Sequence, residues 1–239
     1  MIKMRKIILS ILLASITAVA IYSQEIVGNQ NIIVNNSTAY LITKNKVDDG
    51  RIDGTPYVSE AFLPAKIISK ATSSVEDKVL YLRYNAVNGE FEVQGVDEKV
   101  YVINKYRRDI TVKFVGLNKT YQNFGYLEDG NENFSYFINL SNENSKVKLL
   151  KKENIILVKK TVATTSYDKE RPAHYKQVSD DYFIKINENL AQELPKKDKD
   201  IANLFPEHSK TILAYVKAEK IKTKKEEDLI KLFEYINTL

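Results

Sequence analysis

The chain has 239 residues, a formal net charge of +5 and no cysteine, so neither disulfides nor cysteine-based metal sites stabilise it. Hydrophobic residues make up 44% of the sequence, and the chain is long enough to bury a core of its own. Basic and acidic residues are interleaved rather than gathered in a stripe, which argues against nucleic acid as a partner.

The first 23 residues are typical of a bacterial secretory signal peptide. Lys3, Arg5 and Lys6 form a basic start, and an apolar stretch of signal-peptide length follows over residues 7–20. A transmembrane helix needs about 20 apolar residues, so an uncleaved N-terminal anchor is the second alternative. We therefore predict export, with no transmembrane helix left after cleavage.

Cleavage of this leader would lower the net charge of the chain. An Ala18-Val19-Ala20 site would leave Ile21 as the first mature residue, and cleavage after Ser23 is the alternative. The leader holds three basic residues and no acid, so the mature chain keeps only +2 of the formal +5. A lipoprotein signal would need a cysteine at the cleavage point. The predicted location is the periplasm or cell envelope of a Gram-negative bacterium, or the exterior after secretion.

Residues 24–194 are predicted to form a β-rich domain. Strand patterns at 78–84, 90–94 and 99–103, with an Asn88-Gly89 turn, predict an antiparallel meander. Further patterns recur roughly every 8–12 residues, which favours an extended sheet, a sandwich or an open barrel. The later candidate strands are 110–115, 120–127, 133–138, 146–150, 155–160 and 182–186.

Residues 195–239 change to a helical period and predict a C-terminal helical hairpin, which makes the fold class α+β, mainly antiparallel β. Pro206 suits the first position of the first hairpin helix. The second helix is predicted to begin with a capping box, in which Thr223 accepts from a helical N–H and Glu226 reaches back to the N–H of Thr223. The predicted apolar sides are Ile212, Leu213, Tyr215 and Val216 in one helix, and Leu229, Leu232, Phe233 and Ile236 in the other.

The patterns that resemble catalytic or metal sites each have a simpler interpretation. Glu90 and Glu92 share one side of a strand, as glycosidase carboxylates could, but this alternation is typical of a strand face in water. Residues 49–60 match the spacing of a calcium loop, yet Arg51 stands at a ligand position and no helices flank the loop. The sequence therefore predicts no catalytic residue, cofactor or metal site.

Two pairs of residues form a tentative surface for a ligand or partner. Tyr81 and Tyr101 are predicted to share an aromatic strip on the second face of the meander, although cross-strand aromatic pairs also simply stabilise sheets. Arg171 and His174 lie close in sequence beside a polar loop. They would form a hydrolase-like site only by converging with nearby acids in a cleft.

Several segments together resemble a known family. On these segments the chain is similar to exported proteins of Gram-negative bacteria of the Bacteroidetes type, and the resemblance spans most of the mature chain. It implies no established activity, so no functional residue follows from it. The segments are Gly54-Thr55-Pro56-Tyr57 with Phe62-Leu63-Pro64, Leu82-Arg83-Tyr84-Asn85, Lys225 to Lys231, and Leu204-Phe205-Pro206 leading into the two helices.

The leading functional hypothesis is an exported envelope protein that binds or scaffolds without catalysis, with its hairpin packed on the sheet or offered to a partner. The alternative is a periplasmic carrier of a lipid or other apolar ligand, enclosed by a curved sheet and its aromatic side chains. The third class is an enzyme, such as a hydrolase, around Arg171 and His174. The expected partner is thus another envelope protein or an apolar ligand.

Overall fold

The structure is a computed structural model that describes residues 41–43, 52–69, 79–95, 99–162 and 169–239. The predicted signal peptide lies outside these ranges, as do the first three residues of the calcium-like loop, 49–51. The described part contains thirteen strands, three α-helices and one 3₁₀ turn. The strands are β1 (Leu41–Thr43), β2 (Leu63–Ser69), β3 (Leu80–Asn85), β4 (Glu90–Gln94), β5 (Val100–Ile103), β6 (Ile110–Phe114), β7 (Thr120–Glu128), β8 (Asn131–Asn139), β9 (Val147–Lys152), β10 (Ile155–Val158), β11 (His174–Gln177), β12 (Asp181–Ile186) and β13 (Gln192–Glu193); the helices are α1 (Asp198–Asn203), the 3₁₀ turn Pro206–His208, α2 (Ser209–Ala218) and α3 (Glu226–Ile236).

Eleven strands form one sheet in the order β1-β5-β4-β3-β2-β6-β7-β8-β9-β12-β13, and every strand pair in it is antiparallel. β10 and β11 form a separate two-stranded ribbon. The α+β class dominated by antiparallel strands is confirmed, and the described sheet is open, with β1 and β13 at its edges. The predicted meander is β3-β4-β5. Its first turn contains Gly89 at φ +65°, a conformation that glycine adopts without a Cβ clash.

Aromatic side chains fill the interior of the curved first part of the sheet. Phe91 lies at the centre, with ring centroids 4.8 to 5.1 Å from those of Tyr84, Tyr121 and Tyr136. All four residues are at most 2% exposed. The tilted and edge-to-face ring contacts are those that aromatic rings prefer in a packed core. The space inside this part of the sheet is therefore occupied by the protein's own rings.

The last strands curl back toward β7. Ala191, just before β13, accepts a hydrogen bond from the N–H of Leu127 and donates one to the carbonyl of Gly125, each at 2.9 Å. This return packs a second cluster that includes Phe137 and Phe183. A Cβ on Gly125 would lie 2.7 Å from a methyl carbon of Leu190, so the close approach depends on glycine there.

The C-terminal helices pack against the face of β9 and β12 that is turned away from this second cluster. The predicted apolar residues of α3, Leu229, Leu232, Phe233 and Ile236, are all buried against that face, as are Ile212 and Val216 of α2. The prediction of a capping box is wrong. Helix α3 begins at Glu226, without a side-chain cap, and the hydroxyl of Thr223 donates to Asp198 at 2.9 Å. The hairpin thus uses its apolar sides to cover the sheet.

Candidate functional site

The prediction that Glu92 faces water is wrong. Glu92 lies on the outer face of β4, as its alternation indicates, but it is only 1% exposed. Both carboxylate oxygens are bound: Arg83 donates to one at 2.7 and 2.9 Å, and the hydroxyl of Tyr57 donates to the other at 2.9 Å. The segment before β2 covers this face, so the strand period alone does not set the exposure of Glu92.

Arg83 is held over two aromatic rings in the same cluster. Its guanidinium carbon lies 3.7 Å from the ring centre of Tyr57 and 4.4 Å from that of Phe62. This cluster therefore joins the segment before β2 to strands β3 and β4. A carboxylate paired in this way and removed from water is a structural ion pair, and it offers no free base to a substrate.

Tyr81 and Tyr101 do not form a common strip. Leu82, Val93 and Tyr101 are register partners across β3, β4 and β5, so their side chains share the core face. Tyr81 precedes Leu82 and points to the opposite face, where it is 53% exposed. Tyr101 instead packs against the main core.

Arg171 and His174 also have separate contacts. Arg171 is exposed and pairs through its backbone with Thr161. His174 begins β11, and its Nδ1 lies 3.3 Å from the carbonyl oxygen of Pro172. Neither residue lines either of the two clefts described below.

An ionic cluster ties helix α3 to the sheet. The Nζ of Lys151 on β9 lies 2.7 Å from a carboxylate oxygen of Glu226 and 3.3 Å from one of Asp180. Tyr182 on β12 donates to the same Glu226 oxygen at 2.9 Å. Glu226 thus leaves its predicted role at the helix start and fastens the first turn of α3 to two strands.

This cluster shifts the pKa of Glu226, Lys151 and Tyr182. Burial alone would raise the pKa of Glu226, but the hydrogen bonds from Lys151 and Tyr182 outweigh it and lower that pKa. Burial would lower the pKa of Lys151, and its two carboxylate partners raise it instead. Burial and the Glu226 carboxylate raise the pKa of Tyr182 to about 12. A lowered pKa for the acid and a raised pKa for the base are the shifts that a charged pair stabilising the fold produces.

A second ionic group joins the start of β7 to the turn between β9 and β10. Lys119 is 2.6 Å from Glu153, and the hydroxyl of Tyr121 donates to the other oxygen of the same carboxylate. Burial, reinforced by Glu153, raises the pKa of Tyr121 well above its usual range. Since the tyrosine stays protonated and the carboxylate is paired, this group also acts as a structural anchor.

A helix-side cleft of about 820 Å³ opens between the C-terminal helices and the end of the sheet. Asn237, which follows α3, fixes its edge: its side-chain amide donates to the carbonyl of Val147 at 2.8 Å and accepts from the N–H of Val147 at 3.1 Å. His208 and Glu234 are among its polar lining residues. The eight apolar lining residues are Leu140, Val147, Ile186, Phe205, Ile212, Ile230, Ile236 and Leu239.

A second cleft, of about 660 Å³, lies at the same end of the sheet on its other face. We call it the cationic cleft, because Arg108, Lys146, Lys148 and Lys185 line it with only two carboxylates, Glu143 and Glu188. Both clefts include Asn144, Ser145, Lys146 and Asn187, so they share one rim.

Sequence patterns miss these clefts because their walls come from distant segments. The rim between β8 and β9 is a polar turn in sequence, and five of the eight apolar lining residues come from the helical tail some 60 to 100 residues later. One local signal exists. Lys148 and Lys185 occupy the same strand faces as the buried Leu150 and Phe183, where an apolar residue is expected.

Within the described ranges, no group of three or more His, Asp or Glu side chains is placed to hold a metal ion. The helices in those ranges are all too short or too polar to cross a bilayer. Comparison with protein-family models, with curated proteins and with solved structures gives no match for this chain.

Proposed function

We propose that this chain is an exported protein of the cell envelope that binds without catalysis, and that the helix-side cleft is its binding site. The observation that carries the proposal is the cleft itself, with eight apolar side chains around about 820 Å³. Sites for small molecules typically measure about 300–1,000 Å³ and combine apolar walls with a few polar groups.

Ten polar residues also line the cleft, half of them in the turn between β8 and β9. Asn237 is occupied by the backbone of Val147, which holds the end of α3 against β9. The remaining polar lining residues lie toward the turn between β8 and β9 or on the helices. The sheet behind the cleft is packed, so the walls are held in place without a ligand.

The non-catalytic part of the proposal is supported by the way the ionisable residues are used. Glu92 is enclosed by Arg83 and Tyr57, and Glu226 is engaged by Lys151 and Tyr182. Each group stabilises a junction between elements. The export part is supported by the leader pattern at residues 1–23 and by the resemblance to exported proteins.

A carrier of an apolar ligand is the second candidate, and the same cleft favours it. The aromatic side chains inside the sheet contact each other, which leaves the ligand of such a carrier to the helix-side cleft. An exposed cleft of apolar side chains gains about 25 cal/mol for each Å² of apolar surface that a ligand covers.

The binding proposal is tested with a neutral apolar fluorophore, N-phenylnaphthylamine, on the mature chain. Because the chain has no tryptophan, Leu239→Trp places a single energy donor at the cleft. We expect saturable binding with energy transfer from that position. Ile230→Trp, which fills the cleft, should abolish binding, and Ile156→Trp on the exposed part of β10 should not. Binding that is absent, or equal in the two isoleucine variants, overturns the proposal.

The export proposal is tested separately by N-terminal sequencing of the protein from envelope fractions. We expect the chain to begin at Ile21 or at Gln24. Recovery of the intact N-terminus from the cytoplasmic fraction would contradict it.

A further inference from the structure

We infer that the ligand of the helix-side cleft is a long-chain fatty acid, with its hydrocarbon chain in that cleft and its carboxylate at the shared rim beside Lys146. This inference rests on the proposed function and adds the chemical class of the ligand. It follows from the position of the two clefts, from their different linings and from the charges where they meet.

The two clefts are joined by a short hydrogen-bonded strip. The N–H of Asn187, just after β12, donates to the carbonyl of Lys146, just before β9, at 2.7 Å. Both residues line both clefts. A molecule whose apolar part fills the helix-side cleft therefore has its end next to the cationic cleft. Lys146 is also exposed.

The cationic cleft has an excess of positive charge among its lining residues. Four cations and two carboxylates line it. Lys148 and Lys185 are direct register partners on β9 and β12, an arrangement of like charges that destabilises a sheet.

The ammonium groups of these two lysines are directed by backbone carbonyls toward the turns at the rim. Lys148 donates to the carbonyl of Glu143, and Lys185 donates to those of Asn187 and Asn189 at 2.6 and 2.9 Å. Carbonyl oxygens accept from an ammonium group and orient it. The carbonyl contacts therefore place both ammonium groups near the rim.

A single chain with one acidic end uses both features. The apolar walls accept a hydrocarbon chain that needs no hydrogen bonds, and Lys146 supplies a point charge at the rim rather than the planar fork that arginine offers to phosphate. Arg108, the one arginine of the cationic cleft, is stacked over Phe134 at 4.0 Å and lies outside the shared rim. Lys146 at the rim, with Lys148 and Lys185 beside it, favours a carboxylate, and one hydrocarbon chain matches the helix-side cleft.

The test measures displacement of N-phenylnaphthylamine from the mature chain by palmitate, by the alcohol of the same chain length and by the acid shortened by four CH₂ groups. We expect palmitate to bind at least tenfold more tightly than the alcohol and the shortened acid. Added salt should weaken palmitate and leave the alcohol unchanged.

Lys146→Gln should remove most of the preference for the acid over the alcohol, because it deletes the charge that both clefts share. Lys224→Gln is the matched control: it removes the same charge from an exposed residue that lines neither cleft. Lys146 is itself exposed, and circular dichroism checks that both variants keep the fold.

The outcomes separate the two proposals. If the fluorophore binds at the cleft but acid and alcohol displace it equally, or if Lys146→Gln behaves as Lys224→Gln, the fatty-acid inference is wrong and the binding proposal stands. Tighter binding to vesicles of two-chain phosphatidylglycerol than to palmitate also overturns it. If the fluorophore does not bind, the proposed function itself fails.

Discussion

Replacing Glu92 with glutamine removes one charge from a carboxylate that is 1% exposed and bound through both oxygens. Glutamine has nearly the same size, so the change leaves packing in place. The guanidinium of Arg83 then faces a neutral amide instead of a carboxylate. One acceptor oxygen is also replaced by an NH₂ group, which cannot accept from Arg83 or Tyr57. Removing one partner of a fully buried ion pair costs about 3–5 kcal/mol.

The side chain of Arg83 is 21% exposed, so water recovers part of that loss. We therefore expect Glu92→Gln to lower the free energy of unfolding by about 2–4 kcal/mol. Urea unfolding followed by circular dichroism measures it. With a slope of about 2 kcal/mol/M, the midpoint should fall by about 1–2 M.

Glu90→Gln is the matched control, because it makes the same chemical change two residues away on the same strand. Glu90 is half-buried, and its variant should stay within about 0.5 kcal/mol of the wild type. In a double-mutant cycle, Arg83→Met combined with Glu92→Gln should cost less than the two single changes together. If Glu92→Gln unfolds at the same urea concentration as Glu90→Gln, the cluster does not stabilise the fold and the reasoning is refuted.

Three further predictions concern the tail and the ionisable residues. The lowered pKa of Glu226 means that its contribution to stability is present above its unfolded pKa and is lost as pH falls, so Glu226→Gln should flatten the acid side of a plot of unfolding free energy against pH. Burial raises the pKa of Tyr126 and of Tyr182 to about 12, so the folded chain keeps protons that the unfolded chain loses near pH 10. The free energy of unfolding should therefore fall as pH rises above 10. In a titration followed by absorbance, tyrosinate should form at higher pH in the folded protein than in the unfolded chain. Truncation before residue 195 uncovers the buried Leu149 and Ile184, so the shortened chain should aggregate or bind a fluorescent dye that reports exposed apolar surface. A monomeric fragment that unfolds cooperatively would contradict this.

The strands and helices that sequence reasoning found were those with strong local signals. The Asn88-Gly89 turn joins β3 and β4 as expected, and the apolar stripe of α3 is buried as expected. The strand patterns do not predict β2, although it lies inside the sheet, and Pro64 is unusual at such a position because proline donates no ladder hydrogen bond. The structure accommodates Pro64 at the second residue of β2, where its carbonyl accepts a hydrogen bond from Val115.

The candidate site was not predictable in the same way. Tyr81 and Tyr101 were grouped by residue type, but the pairing register puts them on opposite faces. The helix-side cleft joins residues as far apart as Leu140 and Leu239. The hydrophobic periodicity of a segment cannot predict that these distant residues line one cleft, because this depends on how the helices pack on β9 and β12.

By itself, the sequence determined the antiparallel β class, the change to helices near residue 195 and the buried faces of those helices, because side-chain period and turn chemistry act between neighbours along the chain. The exported location is a prediction from the same kind of local pattern. Only the tertiary structure decided that Glu92 is buried, that Glu226 binds Lys151 instead of capping α3, and that an apolar and a cationic cleft share a rim. These features depend on which distant segments cover each side chain, since burial and pairing are properties of the packed chain and not of its local order.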